Sequence, residues 1–132
     1  LDGGAGNDWL DGGQGNDFAV YASATSGVTV SLRLQGLPQD TRGAGTDILW
    51  NIEHLVGSPF DDVLIGDGDR NYLEGGAGND ILLGGGGWQF GFGGDDYFGG
   101  PGYDTAVFEV GRRGWTSQHL GLERVLLDGS QD

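Results

Sequence analysis

Gly75-Gly76-Ala77-Gly78-Asn79-Asp80-Ile81-Leu82-Leu83 is the stretch whose reading decides the fold. Its six-residue head recurs as Gly3-Gly4-Ala5-Gly6-Asn7-Asp8, Gly12-Gly13-Gln14-Gly15-Asn16-Asp17 and Gly99-Gly100-Pro101-Gly102-Tyr103-Asp104. With 30 Gly and 16 Asp in 132 residues, about 0.2 occurrences of GGxGxD would arise by chance, so four occurrences mark a repeat. The glycines allow positive φ and close backbone approach, so a six-residue turn can aim several carbonyl oxygens at one place. Asp at position six adds a carboxylate. The remaining three residues are long enough for one short strand whose central apolar side chain points inward. Such a set of hard oxygens suits Ca²⁺ better than Mg²⁺, which resists dehydration, or Zn²⁺, which prefers nitrogen and sulfur.

Reading in nines extends the pattern. Arg42-Gly43-Ala44-Gly45-Thr46-Asp47 keeps the phrase with its first Gly replaced, and Gly57-Ser58-Pro59-Phe60-Asp61-Asp62 keeps the final Asp. Residues 66–74 carry Asn71 at the Asp position, and Phe90-Gly91-Phe92-Gly93-Gly94-Asp95-Asp96-Tyr97-Phe98 runs in register into the repeat at Gly99. Two six-residue units, 51–56 and 84–89, shift the frame by three. The second slip also reads with 84–92 as the full nine and 93–98 as the short unit, which leaves open whether Asp95 or Asp96 faces a metal.

The pattern resembles the RTX nonapeptide GGxGxDxUx, with U a large apolar residue, of the hemolysin-type calcium-binding repeat proteins. The resemblance implies an all-β fold, a right-handed parallel β-roll (a β-solenoid) with calcium between stacked GGxGxD turns, two nonapeptides making one turn of the roll. The implied metal residues are Asp8, Asp17, Asp47, Asp62, Asp80, Asp95 and Asp104, with Gly3, Gly4, Gly6, Gly12, Gly13, Gly15, Gly43, Gly45, Gly57, Gly75, Gly76, Gly78, Gly91, Gly93, Gly99, Gly100 and Gly102. The implied cofactor is Ca²⁺, about three ions or more. If each six-residue unit counts as a half-turn, Asp47, Asp62, Asp80 and Asp95 stack on one side and Glu53, Asn71, Gln89 and Asp104 on the other. Ions are then expected at Asp47/Asp62, Asp62/Asp80 and Asp80/Asp95. Asp8 and Asp17 fall on opposite sides of an early turn, with stacking partners expected upstream or after Val20.

The chain divides into RTX repeats at 1–20, an intervening strand and loop segment at 21–41, the main β-roll at 42–107 and a β-rich flanking segment at 108–132. Val28, Val30, Leu32 and Leu34 alternate with polar residues, which predicts a strand with one buried face; residues 37–41, with Pro38, read as a loop. Leu1-Asp2 fit the last two positions of a preceding nonapeptide, and the chain stops where a new run would begin, so a piece of a longer array is expected.

The net charge of −14, with six Arg and no Lys, makes a cation the expected partner and argues against nucleic acid or an anionic membrane surface. No cysteine is available for disulfides or thiolate chemistry. No stretch approaches the length of a transmembrane helix, so no membrane insertion by this segment is expected. His54 and His119 lack a telling partner, and no Lys supports a phosphate loop. Adjacent carboxylates such as Asp61-Asp62 and Asp95-Asp96 point to opposite faces of an extended segment, so no catalytic residue is read and the chain is not expected to be an enzyme. Trp88, Phe90, Phe92, Tyr97 and Phe98 form an aromatic cluster, read either as core packing or as a sugar- or partner-binding surface.

The resemblance also implies a secreted or cell-surface bacterial protein. Its expected role is a calcium-binding module that folds outside the cell and supports passage of a larger exoprotein through the type I secretion machinery. The alternatives are a calcium-dependent adhesion or surface-layer module that binds glycan or a cell-surface protein, and an accessory domain of a secreted enzyme.

Overall fold

The computed structural model describes residues 1–84, 95–108 and 123–128. It is all-β. Short strands alternate between two walls: β1 (Trp9–Asp11), β2 (Phe18–Val20), β3 (Thr29–Ser31), β4 (Gln39–Asp40), β5 (Thr46–Trp50), β6 (His54–Val56), β7 (Val63–Ile65), β8 (Tyr72–Glu74), β9 (Ile81–Leu83), β10 (Asp96–Phe98), β11 (Tyr103–Phe108) and β12 (Glu123–Asp128). Among the described residues the one helical element is a 3₁₀ turn at Leu32–Leu34.

The repeat sets this architecture. A three-residue strand exposes its flanks and buries its centre, because successive side chains point to opposite faces. In β7, β8 and β9 that centre is Leu64, Leu73 or Leu82, each without exposed surface. Parallel pairing puts these centres in register: Val30, Leu64, Leu82 and Ala106 form one inner file, and Ala19, Leu55, Leu73 and Tyr97 face it. Burying a leucine contributes about 2 kcal/mol, and this narrow double file, continued by Leu10, Val28, Leu32, Leu49 and Ile52, makes the apolar core between walls of turns.

The second wall is β2-β6-β8-β10, all parallel. The first wall contains β3-β7-β9-β11, parallel, with β12 antiparallel on its end, and β1-β5, parallel, with β4 antiparallel beside them. An antiparallel bridge between Val28 and Arg42 joins these two sheets. The intervening segment is thus inserted as β3 and β4 between β5 and β7, on one wall only.

Three sequence readings change. The predicted strand from Val28 to Leu34 stops at Ser31, whose hydroxyl accepts from the Arg33 amide and starts the 3₁₀ turn. Leu34 is left exposed. The loop read at 37–41 contains β4, held because the Gln39 amide accepts from Ser31 N and donates to Ser31 O. Finally, the six-residue unit 51–56 does make a half-turn ending in β6, while 85–89 of the other unit lie outside the described residues and the expected side of Asp95 changes. A Cβ on Gly84 would collide with the Asp95 carboxylate, as one on Gly75 would with Asp80. Gly84 therefore holds position one and Asp95 position six, and Asp96 starts β10 opposite Tyr72.

Candidate metal centre

The turn 75–80 shows how the motif works. Gly76 and Gly78, at positions two and four, have φ of 104° and 119°, which only glycine adopts without strain. Gly75 does not, yet it has to be glycine because the Asp80 carboxylate fills the space of a Cβ. The aspartate is thereby folded back into its own turn. The same pattern holds at Gly3, Gly4 and Gly6 with Asp8, at Gly12, Gly13 and Gly15 with Asp17, and at Gly99, Gly100 and Gly102 with Asp104.

Turns stack at strand spacing. Gly76 and Gly78 amides donate to the carbonyls of Gly99 and Pro101, and the Gly6 amide donates to Ala44. At Asp47, Asp80, Asp95 and Asp104 the position-six carboxylate then accepts, through one oxygen, the position-six amide of the turn stacked beside it. Asp62 N donates to Asp80 Oδ1 and Asp80 N to Asp104 Oδ1, both at 2.9 Å; Asp8 N donates to Asp47 Oδ1 at 3.0 Å. On the other side of the roll, Asp17 N donates to Glu53 Oε2 at 2.8 Å, Asn71 Nδ2 to Glu53 O at 2.9 Å, and Asn71 N to Asp95 Oδ1 at 2.9 Å.

These ladders correct two expected pairings. Asp47 lies against Asp8 instead of Asp62, because the inserted segment fills the gap: Gly43 packs on the Ser26 carbonyl and Gly27 on the Asp61 carbonyl. Val28 N occupies the place of the missing turn and donates to Asp62 Oδ1 at 2.7 Å. Asp80 stacks on Asp104 and Asp95 on Asn71 in place of the expected Asp80/Asp95 pair, because β10, which follows Asp95, pairs with β8 on the second wall. Asp17 finds its partner in Glu53. Gln89, Gly91, Gly93, Trp88, Phe90, Phe92 and His119 lie outside the described residues.

The second carboxylate oxygen separates the turns into two kinds. Oδ2 of Asp8, Asp17, Asp80 and Asp104 is buried with no hydrogen-bond partner. These are the aspartates of the four complete GGxGxD motifs. A buried anionic oxygen without a donor is costly unless a cation faces it. Asp80 carries the mark of that cost: burial, followed by the charges of Asp62, Asp104 and Asp61, raises its pKa to about 7 against the pull of the Asp62 amide. Burial also raises Asp47, Asp62 and Asp95.

In the incomplete turns the same oxygen has a protein donor. Asp62 Oδ2 accepts from Ser58 N at 2.6 Å while Ser58 Oγ donates to Oδ1 at 2.6 Å. Asp95 Oδ2 accepts from Tyr97 Oη at 3.1 Å. Asp47 is intermediate: Thr41 Oγ1 is 3.5 Å from its Oδ2 but lies closer, at 2.8 Å, to Gly45 O. The buried Tyr21 hydroxyl approaches Asp47 and Asp8 without closing a bond of ordinary geometry.

Among the described residues no three His, Asp or Glu side chains converge on one point. A metal here would therefore be held by one or two carboxylates together with turn carbonyls, an all-oxygen set that fits Ca²⁺ and not Zn²⁺. Sequence reasoning missed Ser58, Tyr97 and Tyr21, and also position five, where Asn79 N donates to Asp61 Oδ1 and Tyr103 N to Asn79 Oδ1. The recurrent Asn7, Asn16 and Asn79 were the signal for that outer ladder.

The outer face of the second wall carries a different feature. Phe18, His54, Tyr72 and Phe98 run across its four strands, with ring centroids 4.6 Å apart for Phe18 and His54 and 4.8 Å for the stacked Tyr72 and Phe98. Glu74 accepts from the Tyr72 hydroxyl, and burial, then the Glu74 charge, raises the Tyr72 pKa. No helix of the described residues is long and apolar enough to cross a membrane.

Residues 1–19 and 56–87 match the family model described as the RTX calcium-binding nonapeptide repeat, in four copies. No curated protein matches the chain.

Proposed function

We propose that this chain, which carries RTX calcium-binding nonapeptide repeats on a parallel β-roll, is a calcium-dependent folding module of a larger exoprotein exported by type I secretion. The observation that carries the reading is the coincidence of complete motifs with buried, donorless carboxylate oxygens at Asp8, Asp17, Asp80 and Asp104. These four aspartates, with carbonyls of their own and neighbouring turns, would hold the ions. Bound calcium would supply the positive charge that those oxygens lack.

The chain's own residues explain why folding would wait for calcium. A charge of −14 on 132 residues opposes compaction. The double file of Leu, Val and Ala is too thin to offset both that repulsion and the ordering of a glycine-rich backbone. At a free concentration ten times the dissociation constant, each site adds about 1.4 kcal/mol. Four sites therefore approach the stability of a small domain. Where calcium is scarce the chain would stay extended, as passage through a secretion channel requires; outside the cell it would fold. The role is non-catalytic.

Far-ultraviolet circular dichroism during a calcium titration, with magnesium as control, tests this. A coil-to-β transition at roughly 0.1–1 mM calcium, in the range of extracellular modules, and absent with magnesium is the expected result. A chain fully folded in chelator would refute calcium-controlled folding.

A second reading, a calcium-dependent adhesion or surface-layer module, is favoured by the exposed file Phe18, His54, Tyr72 and Phe98. A row of aromatic rings, of which Tyr72 and Phe98 stack and the others meet tilted or edge-on, close to the carboxylates of Glu74 and Asp96, has the chemistry of a glycan-binding surface. Calcium-dependent retention on polysaccharide that is lost in Phe98→Ala would support it; identical retention of both proteins would not.

A further inference from the structure

We propose that in the incomplete turns a protein donor stands where the complete turns take a cation, so that Ser58 and Tyr97 decide which aspartates load metal. The inference rests on the calcium reading above and deepens it. It turns the repeats into two functional classes: Asp8, Asp17, Asp80 and Asp104 load calcium, whereas Asp62 and Asp95 are metal-independent struts.

The contrast between adjacent turns carries the argument. Asp80 and Asp62 occupy the same position in successive turns of one ladder, and both are buried, with 1% of their surface exposed. Each gives Oδ1 to the amide of the element before it, Asp62 for Asp80 and Val28 for Asp62. Only Oδ2 differs. In the Asp80 turn, position two is Gly76 at φ 104°, whose amide points away to the Gly99 carbonyl. In the Asp62 turn, position two is Ser58, and no positive φ is found there. The Ser58 amide turns inward onto Asp62 Oδ2, and its hydroxyl closes on Oδ1. With Val28 N and Ser58 Oγ on Oδ1 and Ser58 N on Oδ2, three of the roughly four acceptor directions of the carboxylate are filled and neither oxygen lacks a donor, so a cation has less to gain there than at Asp80.

The other side of the roll shows the same substitution with other chemistry. Asp95 Oδ2 takes its donor from the Tyr97 hydroxyl, two residues on at the start of β10. At Asn71 the carboxylate itself is replaced, and its amide donates to Glu53 O and Asp67 Oδ1 while its carbonyl accepts from Asp67 N. Three unrelated donor types, a serine, a phenol and a carboxamide, therefore fill the same place, which points to a shared electrostatic need at position six.

The test counts calcium ions on the full chain by native mass spectrometry and isothermal titration, with thermal midpoints at limiting and at saturating calcium. Two variants change the donors: Ser58→Gly with Phe60→Gly, which completes the motif, removes the hydroxyl and lets position two take the positive φ that turns its amide away, and Tyr97→Phe removes the phenol. Each is expected to bind one more ion than the parent and to show a larger rise in midpoint on adding calcium. Asp80→Asn, as control, is expected to bind one fewer. If the control loses an ion while neither donor variant gains one, the inference is overturned and the calcium reading stands. A parent chain that binds no calcium overturns both.

Discussion

The two ladders of turns are cut from one nine-residue frame, yet they differ in what they ask of their surroundings. The ladder that feeds β1, β5, β7, β9 and β11 has a carboxylate at position six in every turn, and three of these, Asp8, Asp80 and Asp104, keep a buried oxygen without a donor. The ladder that feeds β2, β6, β8 and β10 has Asp17, Glu53, Asn71 and Asp95, and only Asp17 keeps one. The first ladder leaves three such oxygens without a protein donor, whereas the second leaves one. On the proposed reading, calcium dependence would be a local property of each turn, not of the fold.

The sharpest way to break this comparison is through glycine. In the first ladder, Gly78 has φ 119° and a Cβ there would meet the Phe60 carbonyl carbon at 2.5 Å. In the second, Gly68 occupies a turn with open space around it and an ordinary φ. Gly78→Ala should destabilise the calcium-loaded protein by at least about 2 kcal/mol through backbone strain and lost stacking. Gly68→Ala should be neutral or stabilising by up to about 1 kcal/mol, because it only restricts the unfolded chain. Equal losses in thermal unfolding would mean that the motif glycines serve composition and not conformation.

That asymmetry also marks how far the sequence could be read. The roll and its inner file were legible, because Leu64, Leu73 and Leu82 sit at the same offset from Asp62, Asn71 and Asp80. The four aspartates whose second oxygen lacks a hydrogen-bond donor, Asp8, Asp17, Asp80 and Asp104, stand at position six of the complete motifs, which the sequence also shows. What could not be read was non-local. The intercalation of β3 and β4 depends on the Gln39 amide meeting Ser31 and on Gly27 and Gly43 fitting against distant carbonyls, none of which leaves a periodic trace. The side assignment of Asp95 failed because Gly84-Gly85-Gly86-Gly87 reads equally as a short repeat or as added length in a turn. Glycine permits both, and only the pairing of β10 with β8 decides.

The second prediction concerns charge on the first ladder. Asp80 has its pKa raised to about 7, chiefly by burial. A carboxyl raised in the folded state holds its proton more tightly there than in the unfolded chain. At calcium just sufficient to fold the chain, the Asp80 contribution is fully present below about pH 4 and is lost as pH rises to about 7, by at most about 1.4 kcal/mol per pH unit. In saturating calcium the slope should reverse, since the same oxygen exchanges a proton for the cation. Urea midpoints from pH 4 to 8 at limiting and at saturating calcium check this, and Asp80→Asn should flatten both slopes. Parallel slopes in the two conditions would sever proton and cation.

The third works on the second ladder. Asn71→Asp restores the carboxylate but removes the donors to Glu53 O and Asp67 Oδ1. At calcium just sufficient to fold the parent it should cost about 1–3 kcal/mol, the penalty of unpaired buried polar groups. Added calcium should recover part of that loss, moving the second ladder toward the first. Loss without recovery would show that the second side lacks the carbonyl geometry for a site, whatever sits at position six.

The smallest effect tests whether ordinary surface charge matters to either ladder. Arg70 lies in the Asn71 turn and pairs with Asp96 at 2.8 Å, with about half of each side chain in solvent (62% and 46% exposed). It offers positive charge close to the second ladder, so it could be mistaken for the cation substitute there. Its guanidinium, however, binds Asp96 on the outer face, at the start of β10, and not the position-six groups Asn71 and Asp95 inside the turns. An exposed pair of this kind contributes about 0.2–1 kcal/mol and is screened by salt. Arg70→Ala should therefore lower stability by no more than that at low ionic strength, and by less at 0.5 M salt, with an unchanged calcium count. A gained ion in Arg70→Ala would put the cation substitute at Arg70 instead of at the donors inside the turns, and the contrast between the ladders would become one of surface charge.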